Sequence, residues 1–278
     1  MTAPAGRPRL GVLSSALRRL TPAEVCATAS RLGLAGVEWA LGDDDASGVG
    51  TGPRAGHRLR RLATEAGIEV CGLAVQDAGL MQDDRDGRSL VRHAQLAAAA
   101  GAPHLRVFAP PYGGRDVDSE LRQLAARLCA GAQAAEQLGV ALLVEMSPGT
   151  IVPGPEWFAR LATLADPSSI GAVYDPGSMM IEGHVAPLLA VATLGRRLRH
   201  VHVKDVAPCR EGTRWQWTHV PPGQGMVPWA EVVEALTRAG YGGWCVIDHT
   251  GGEPTPQQLQ QDLVAFQALA EPAAAARR

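Results

Sequence analysis

Four apolar runs in the second half of the chain each close on a residue that can bind a cation: Val-Glu145, Tyr-Asp175, Val-His202 and Ile-Asp248. Three carboxylates and one imidazole brought to one place repel one another unless a positive ion sits among them. A mixed oxygen and nitrogen set with a single His suits Mn²⁺, Mg²⁺, Co²⁺ or Zn²⁺, and the residue types do not choose among these. Taken singly, each residue has a plainer reading. An acid at a strand end is often a helix N-cap, and a lone His on a strand is often a hydrogen-bonded core residue. The joint pattern carries weight only if the elements bearing the four residues are neighbours.

Those elements repeat along the chain. A short β-branched or Leu-rich run, a polar turn and an Ala/Leu/Arg-rich stretch at helical spacing recur eight times. The runs predict strands at Leu10–Ser14, Gly36–Ala40, Ile68–Ala74, His104–Ala109, Val140–Met146, Ile170–Tyr174, His200–Lys204 and Trp244–Asp248. Helices are predicted between them, for example over Pro22–Leu32, where Thr21 and Glu24 form a capping box, and over Asp116–Leu138. Gly33, Gly67, Gly101, Gly139 and Gly240 fit left-handed helix C-caps just ahead of the next strand. Alternating βα units imply a parallel sheet. Eight of them, with no glycine-rich phosphate turn after the first strand, favour a closed (β/α)8 barrel over a doubly wound open sheet. In such a barrel the active site lies at the C-terminal ends of the strands. Glu145, Asp175, His202 and Asp248 then sit on four adjacent strands, all at that end.

With 278 residues, 46% of them hydrophobic, one barrel over 1–270 accounts for the chain, and 271–278 is expected to be a disordered tail. A net charge of -2 with scattered Lys and Arg supplies no field for phosphate backbones, so nucleic acid is not an expected partner. Five cysteines without a C-x-x-C pair, and an opening without the apolar segment of a secretory signal, point to reduced thiols in a cytoplasmic protein. No run approaches the roughly 18 apolar residues of a membrane span.

The segments LLVEM, AVYDPGSMMIEG, HVHVKD, PPGQGMVPW and GYGGWCVID resemble those of the sugar isomerase/epimerase superfamily of xylose isomerase-like TIM barrels, and GVEWA and GAPHLRVFA fit as well. That family includes ketose 3-epimerases, hydroxypyruvate isomerases, inosose isomerases and dehydratases, and dehydroshikimate dehydratases. The resemblance spans essentially the whole chain and implies one divalent metal held by Glu145, Asp175, His202 and Asp248. It also implies that Glu145 and Asp248 exchange protons with a small polyhydroxylated keto substrate; barrels of this family often form dimers or tetramers, so a homo-oligomer is compatible with the sequence, which leaves the oligomeric state open. A metal-bound ketone with a neighbouring hydroxyl has an acidified α C–H bond, which a carboxylate can deprotonate to an enediolate.

Three positions depart from the family pattern. Asp248 replaces the usual Glu, Met146-Ser147-Pro148 stands where many relatives place a His, and Ser178 occupies a position that is His in ketose epimerases. Around the centre, Trp39, Arg106, Ser178, His184, Lys204, Arg210, Trp215 and Trp217 are candidate substrate contacts. Arg106 could clamp an oxyanion or pair inside the barrel with Glu145 or Glu38; Lys204 and Asp205 could instead orient the following loop. The polar stretch Val206–Met226 is expected to form a lid loop. The first expectation is therefore a metal-dependent isomerase or epimerase of a keto-sugar or cyclitol. A dehydratase that expels a β-hydroxyl is the alternative, and a non-catalytic metal-binding homologue is another. An abasic-site nuclease on the same barrel would need about three metal ions, more His ligands and a basic face, which the strand ends do not supply.

Overall fold

The eight runs are largely apolar, as strands must be when a sheet faces a packed interior on one side and covering helices on the other. The computed structural model describes residues 8–42, 49–76, 88–165, 170–249 and 254–275. Its strands in chain order are β1 (Arg9–Leu13), β2 (Gly36–Leu41), β3 (Glu69–Val75), β4 (His104–Phe108), β5 (Ala141–Glu145), β6 (Ile170–Tyr174), β7 (Leu198–Val203), β8 (Asp205–Glu211), β9 (Arg214–Val220) and β10 (Trp244–Ile247). Strands β1 to β7 and β10 close a parallel barrel in sequence order, with β10 pairing both β7 and β1. The eight predicted strands are these eight, with no end shifted by more than two residues.

The helices are α1 (Pro22–Arg31), α2 (Gly52–Glu65), α3 (Arg88–Ala100), α4 (Val117–Gln137), α5 (Pro155–Leu164), α6 (Pro176–Glu182), α7 (Pro187–Leu194), α8 (Trp229–Arg238) and α9 (Pro256–Ala275). The capping box of Thr21 and Glu24 opens α1, and Asp116 caps α4 by accepting from the Ser119 N–H at 2.8 Å. Gly33, Gly67, Gly101, Gly139 and Gly240 all take positive φ, between 68° and 73°. Helical backbone in α9 continues to Ala275, into the segment expected to be a tail, while 276–278 lie outside the described residues. Among the described residues no single helix is long and apolar enough to cross a membrane.

Strand alternation sorts the barrel wall. On β7 the valines Val201 and Val203 join the core beneath the helices, so His200 and His202 point inward. On β2 Glu38 points inward and Trp39 outward into that same helix-facing core. The interior is accordingly polar along one column, containing Glu38, His104, Arg106, Glu145, His200 and His202, all buried.

The stretch expected to be a lid loop is a β-hairpin instead. Strands β8 and β9 pair antiparallel from Asp205↔Val220 to Glu211↔Arg214, around a turn in which Gly212 has φ 60°. Its base is fixed by Asp205, which is fully buried. Oδ1 accepts from the N–H groups of Val206 at 2.9 Å and Val227 at 3.0 Å, and Oδ2 from those of Gly223 at 2.8 Å and Gly225 at 3.1 Å. A Cβ on Gly225 would overlap this carboxylate, which accounts for the glycine in PPGQGMV. Asp205→Ala leaves four N–H groups without their acceptor. At about 1–3 kcal/mol for each fully buried orphan, and less for the half-exposed ones, urea unfolding should register a loss of about 3–5 kcal/mol. A loss under about 1 kcal/mol would mean that water replaces the carboxylate without penalty.

Candidate metal centre

Glu145 is the last residue of β5, and Asp175, His202 and Asp248 stand at the same end of β6, β7 and β10. One ligand atom from each lies within 4.8 Å of the others, and all four residues are buried. His202 Nδ1 is 3.6 Å from Glu145 Oε1 and 3.8 Å from Asp248 Oδ2. Among the described residues His202 Nδ1 is buried without a hydrogen-bond partner, as are the second carboxylate oxygens Glu145 Oε2 and Asp248 Oδ1. Buried polar atoms are rarely left so. The donor set and its unused atoms fit a divalent cation.

Each ligand is held from behind. Asp175 is both of the things its position suggested: a converging carboxylate and the N-cap of α6. Its Oδ1 accepts from the Ser178 N–H at 2.9 Å and its Oδ2 from the Ser178 hydroxyl at 2.8 Å. His202 Nε2 lies 2.9 Å from Glu38 Oε2, and His200 Nε2 lies 3.1 Å from the same oxygen. A carboxylate behind an imidazole fixes the ring and leaves the other nitrogen for a metal. Arg106 Nε approaches Glu145 Oε2 to 3.0 Å without hydrogen-bond alignment, and Arg106 Nη1 donates to the Val75 carbonyl at 3.4 Å. Lys204 Nζ bridges Asp175 Oδ2 at 2.5 Å and Asp248 Oδ2 at 3.2 Å. A Cβ on Gly177 would come within 2.6 Å of the Lys204 carbonyl, so the glycine of DPGS lets α6 lie against β7.

These contacts set the charges. Burial alone would raise the Glu145 carboxyl, but Arg106 and His202 outweigh it and bring it to about 2. Burial likewise opposes ionisation of Glu38, yet His200 and His202 hold it well below the carboxylate range. The His202 imidazole is disfavoured as a cation by burial and favoured by Glu145 and Glu38, which prevail and raise it well above its usual value. Lys204, buried but flanked by Asp175 and Asp248, is raised as well. His104, pressed against His200 and far from water, falls to about 3.

The raised His202 imidazole makes a proton a competitor for Nδ1, so metal binding at that nitrogen is opposed by protonation. Calorimetric titration with Mn²⁺ in buffers of different ionisation enthalpy should show proton release on binding, with affinity rising as pH rises. Affinity that does not change with pH across the acidic and neutral range would remove Nδ1 of His202 from the ligand set.

The remaining candidates are not all brought to this place. Ser178 orients Asp175, and Arg106 and Lys204 are engaged with the carboxylates. Trp39 faces the helices, because Glu38 takes the inward position next to it. His184 is exposed between α6 and α7. Arg210, Trp215 and Trp217 lie on the hairpin; Arg210 Nε donates to the Gly212 carbonyl at 3.1 Å, and the two tryptophans are 72% and 38% exposed, available to a molecule outside the barrel. The inward pairing of Glu38 with His200 and His202 was not foreseen, although the alternation in HVHVKD carries the signal for the two histidines.

The family model for the xylose isomerase-like TIM barrel matches residues 26–269. Inosose dehydratase of Lacticaseibacillus casei is 26% identical over 143 residues, which cover 47% of each chain; the match thus spans about half the length of that relative. The rhizopine catabolism protein MocC of Rhizobium meliloti is 27% identical over 92% of this chain and 83% of its own. A solved L-ribulose 3-epimerase superposes with a TM-score of 0.79 over 97% of both chains at 15% identity, a likeness of fold. With the closed barrel, the strand-end residues and a profile match across most of its length, this chain belongs to the xylose isomerase-like TIM barrel family.

Proposed function

We propose that the protein is a divalent-metal-dependent enzyme that removes the proton α to the carbonyl of a small polyhydroxylated ketone, a keto-cyclitol or keto-sugar, and that the resulting enediolate expels a β-hydroxyl. The observation that carries this reading is the convergence of buried ligand atoms from Glu145, Asp175, His202 and Asp248 within 4.8 Å of one another, with His202 Nδ1 left without a hydrogen-bond partner among the described residues. When bound there, a divalent cation supplies Lewis acidity, drawing electron density from the ketone and its neighbouring hydroxyl so that the adjacent C–H bond becomes acidic. Glu145 is the base. Arg106 keeps it ionised at neutral pH but also makes it weak, with a carboxyl at about 2, so it depends on that acidified bond. The C–H electrons form the enediolate, the β C–O bond breaks, and the proton taken by Glu145 returns to the departing hydroxide as water.

Elimination is favoured over isomerisation because the relatives matched by sequence include inosose dehydratases. Isomerisation or epimerisation returns the proton to carbon and wants a second acid. Incubation of metal-loaded protein with inososes and keto-sugars in D2O, followed by NMR, separates the two. Loss of water supports the lyase. Deuterium at an α carbon of an intact skeleton supports the isomerase, and no change in any substrate argues for a non-catalytic homologue.

A further inference from the structure

A second group of cation ligands lies outside the centre. His219 in β9, His249 just beyond β10 and Asp262 in α9 come from three separate elements and converge on one point. His249 Nδ1 is 3.0 Å and His219 Nε2 is 3.3 Å from the same oxygen, Asp262 Oδ2. The two rings face each other with centroids 3.7 Å apart at 46°. The side chains of His219 and Asp262 are 5% and 2% exposed and that of His249 is 12% exposed, so anything bound among them would be largely stripped of water.

We propose that these three residues form a second divalent-cation site that fastens the β8–β9 hairpin to the end of β10 and to α9. The spacing fits a small tetrahedral ion. Metal bonds of about 2.0–2.1 Å place neighbouring ligand atoms roughly 3.3 Å apart, close to the two measured separations. The chemistry fits a borderline ion. Two imidazoles and one carboxylate prefer Zn²⁺, Co²⁺ or Ni²⁺, whereas the three carboxylates and one imidazole of the first centre also accept Mn²⁺ and Mg²⁺. Burial alone would raise the Asp262 carboxyl, and the contacts with His219 and His249 outweigh it and lower it. Because His249 follows Asp248 and the hairpin follows Lys204, the cation would join the wall of the first centre to the element beside its mouth.

Two hydrogen bonds into one carboxylate oxygen would hold the same residues without any ion, and zinc stoichiometry tells the two apart. The full chain, stripped of metal, is dialysed against Zn²⁺ alone and against Mn²⁺ alone, with bound metal counted by elemental analysis. Wild type is expected to hold one more equivalent of zinc than of manganese. His219→Ala and Asp262→Asn should each lose that extra zinc and keep their manganese. The Asp175→Ala/His202→Ala protein isolates the second site: one zinc there that disappears on adding His219→Ala supports the proposal independently of the first centre. Equal zinc in wild type, His219→Ala and Asp262→Asn, each folded by circular dichroism, overturns it.

Discussion

Asp175→Ala combined with His202→Ala is expected to abolish manganese binding and, with it, turnover. The two substitutions remove half of the proposed ligands, and what remains cannot replace them. Glu145 is held by Arg106, and Asp248 is left as the nearer partner of Lys204. The fold should weaken too, because Lys204 loses its 2.5 Å partner and Glu38 keeps only His200. Breaking a buried ion pair by removing one member typically costs about 3–5 kcal/mol. Elemental analysis after manganese dialysis decides the matter. A stoichiometric ion surviving in the folded double variant would refute the ligand set. In wild type, chelation should lower the melting temperature, since a ligand bound only by the native state stabilises it by mass action.

Asp248 gives the second large effect, and it separates ligand from acid. If Glu145 alone moves the proton, Asp248→Asn at full metal occupancy should retain most of the α-proton exchange rate, and Asp248→Glu should keep the metal while crowding substrate. Should Asp248 be a proton-transfer partner, the Asn variant loses the roughly 10²–10⁴-fold contributed by general acid–base catalysis. Asp248 Oδ2 lies 3.2 Å from Lys204 Nζ and Glu145 Oε2 lies 3.0 Å from Arg106 Nε, so each carboxylate faces one internal cation and the variants are what separate their roles. Exchange rates in D2O for wild type and both variants, with occupancy measured in each, make the comparison. A thousandfold loss in a fully loaded Asn variant would turn the reading toward two-carboxylate isomerisation.

The barrel was legible because its signals are local. Apolar runs, a capping box at Thr21 and glycines that take positive φ after helices each depend on residues within a few positions of one another. The gathering of Glu145, Asp175, His202 and Asp248 followed once the strand order did. The hairpin was hidden because most of β8 and β9 is exposed and makes no apolar run; only cross-strand pairing defines it. Alternation next to Glu38 could have turned Trp39 away from the site. The choice of Glu38's partners, two histidines more than 160 positions away instead of Arg106, is set by packing across the barrel and leaves no mark within β2.

The bridging ammonium of Lys204 has a consequence for how the protein comes into being. Because the chain carries its own counter-ion between Asp175 and Asp248, a newly made barrel can close before any metal arrives. Loading is then an exchange of one cation's hold on those carboxylates for another's, and not the nucleation of a fold, as it is in small zinc domains that are unstructured without metal. On the proposed metal-dependent reading, protein made without metal should be folded and inactive and should recover within a single binding step, without refolding or resynthesis.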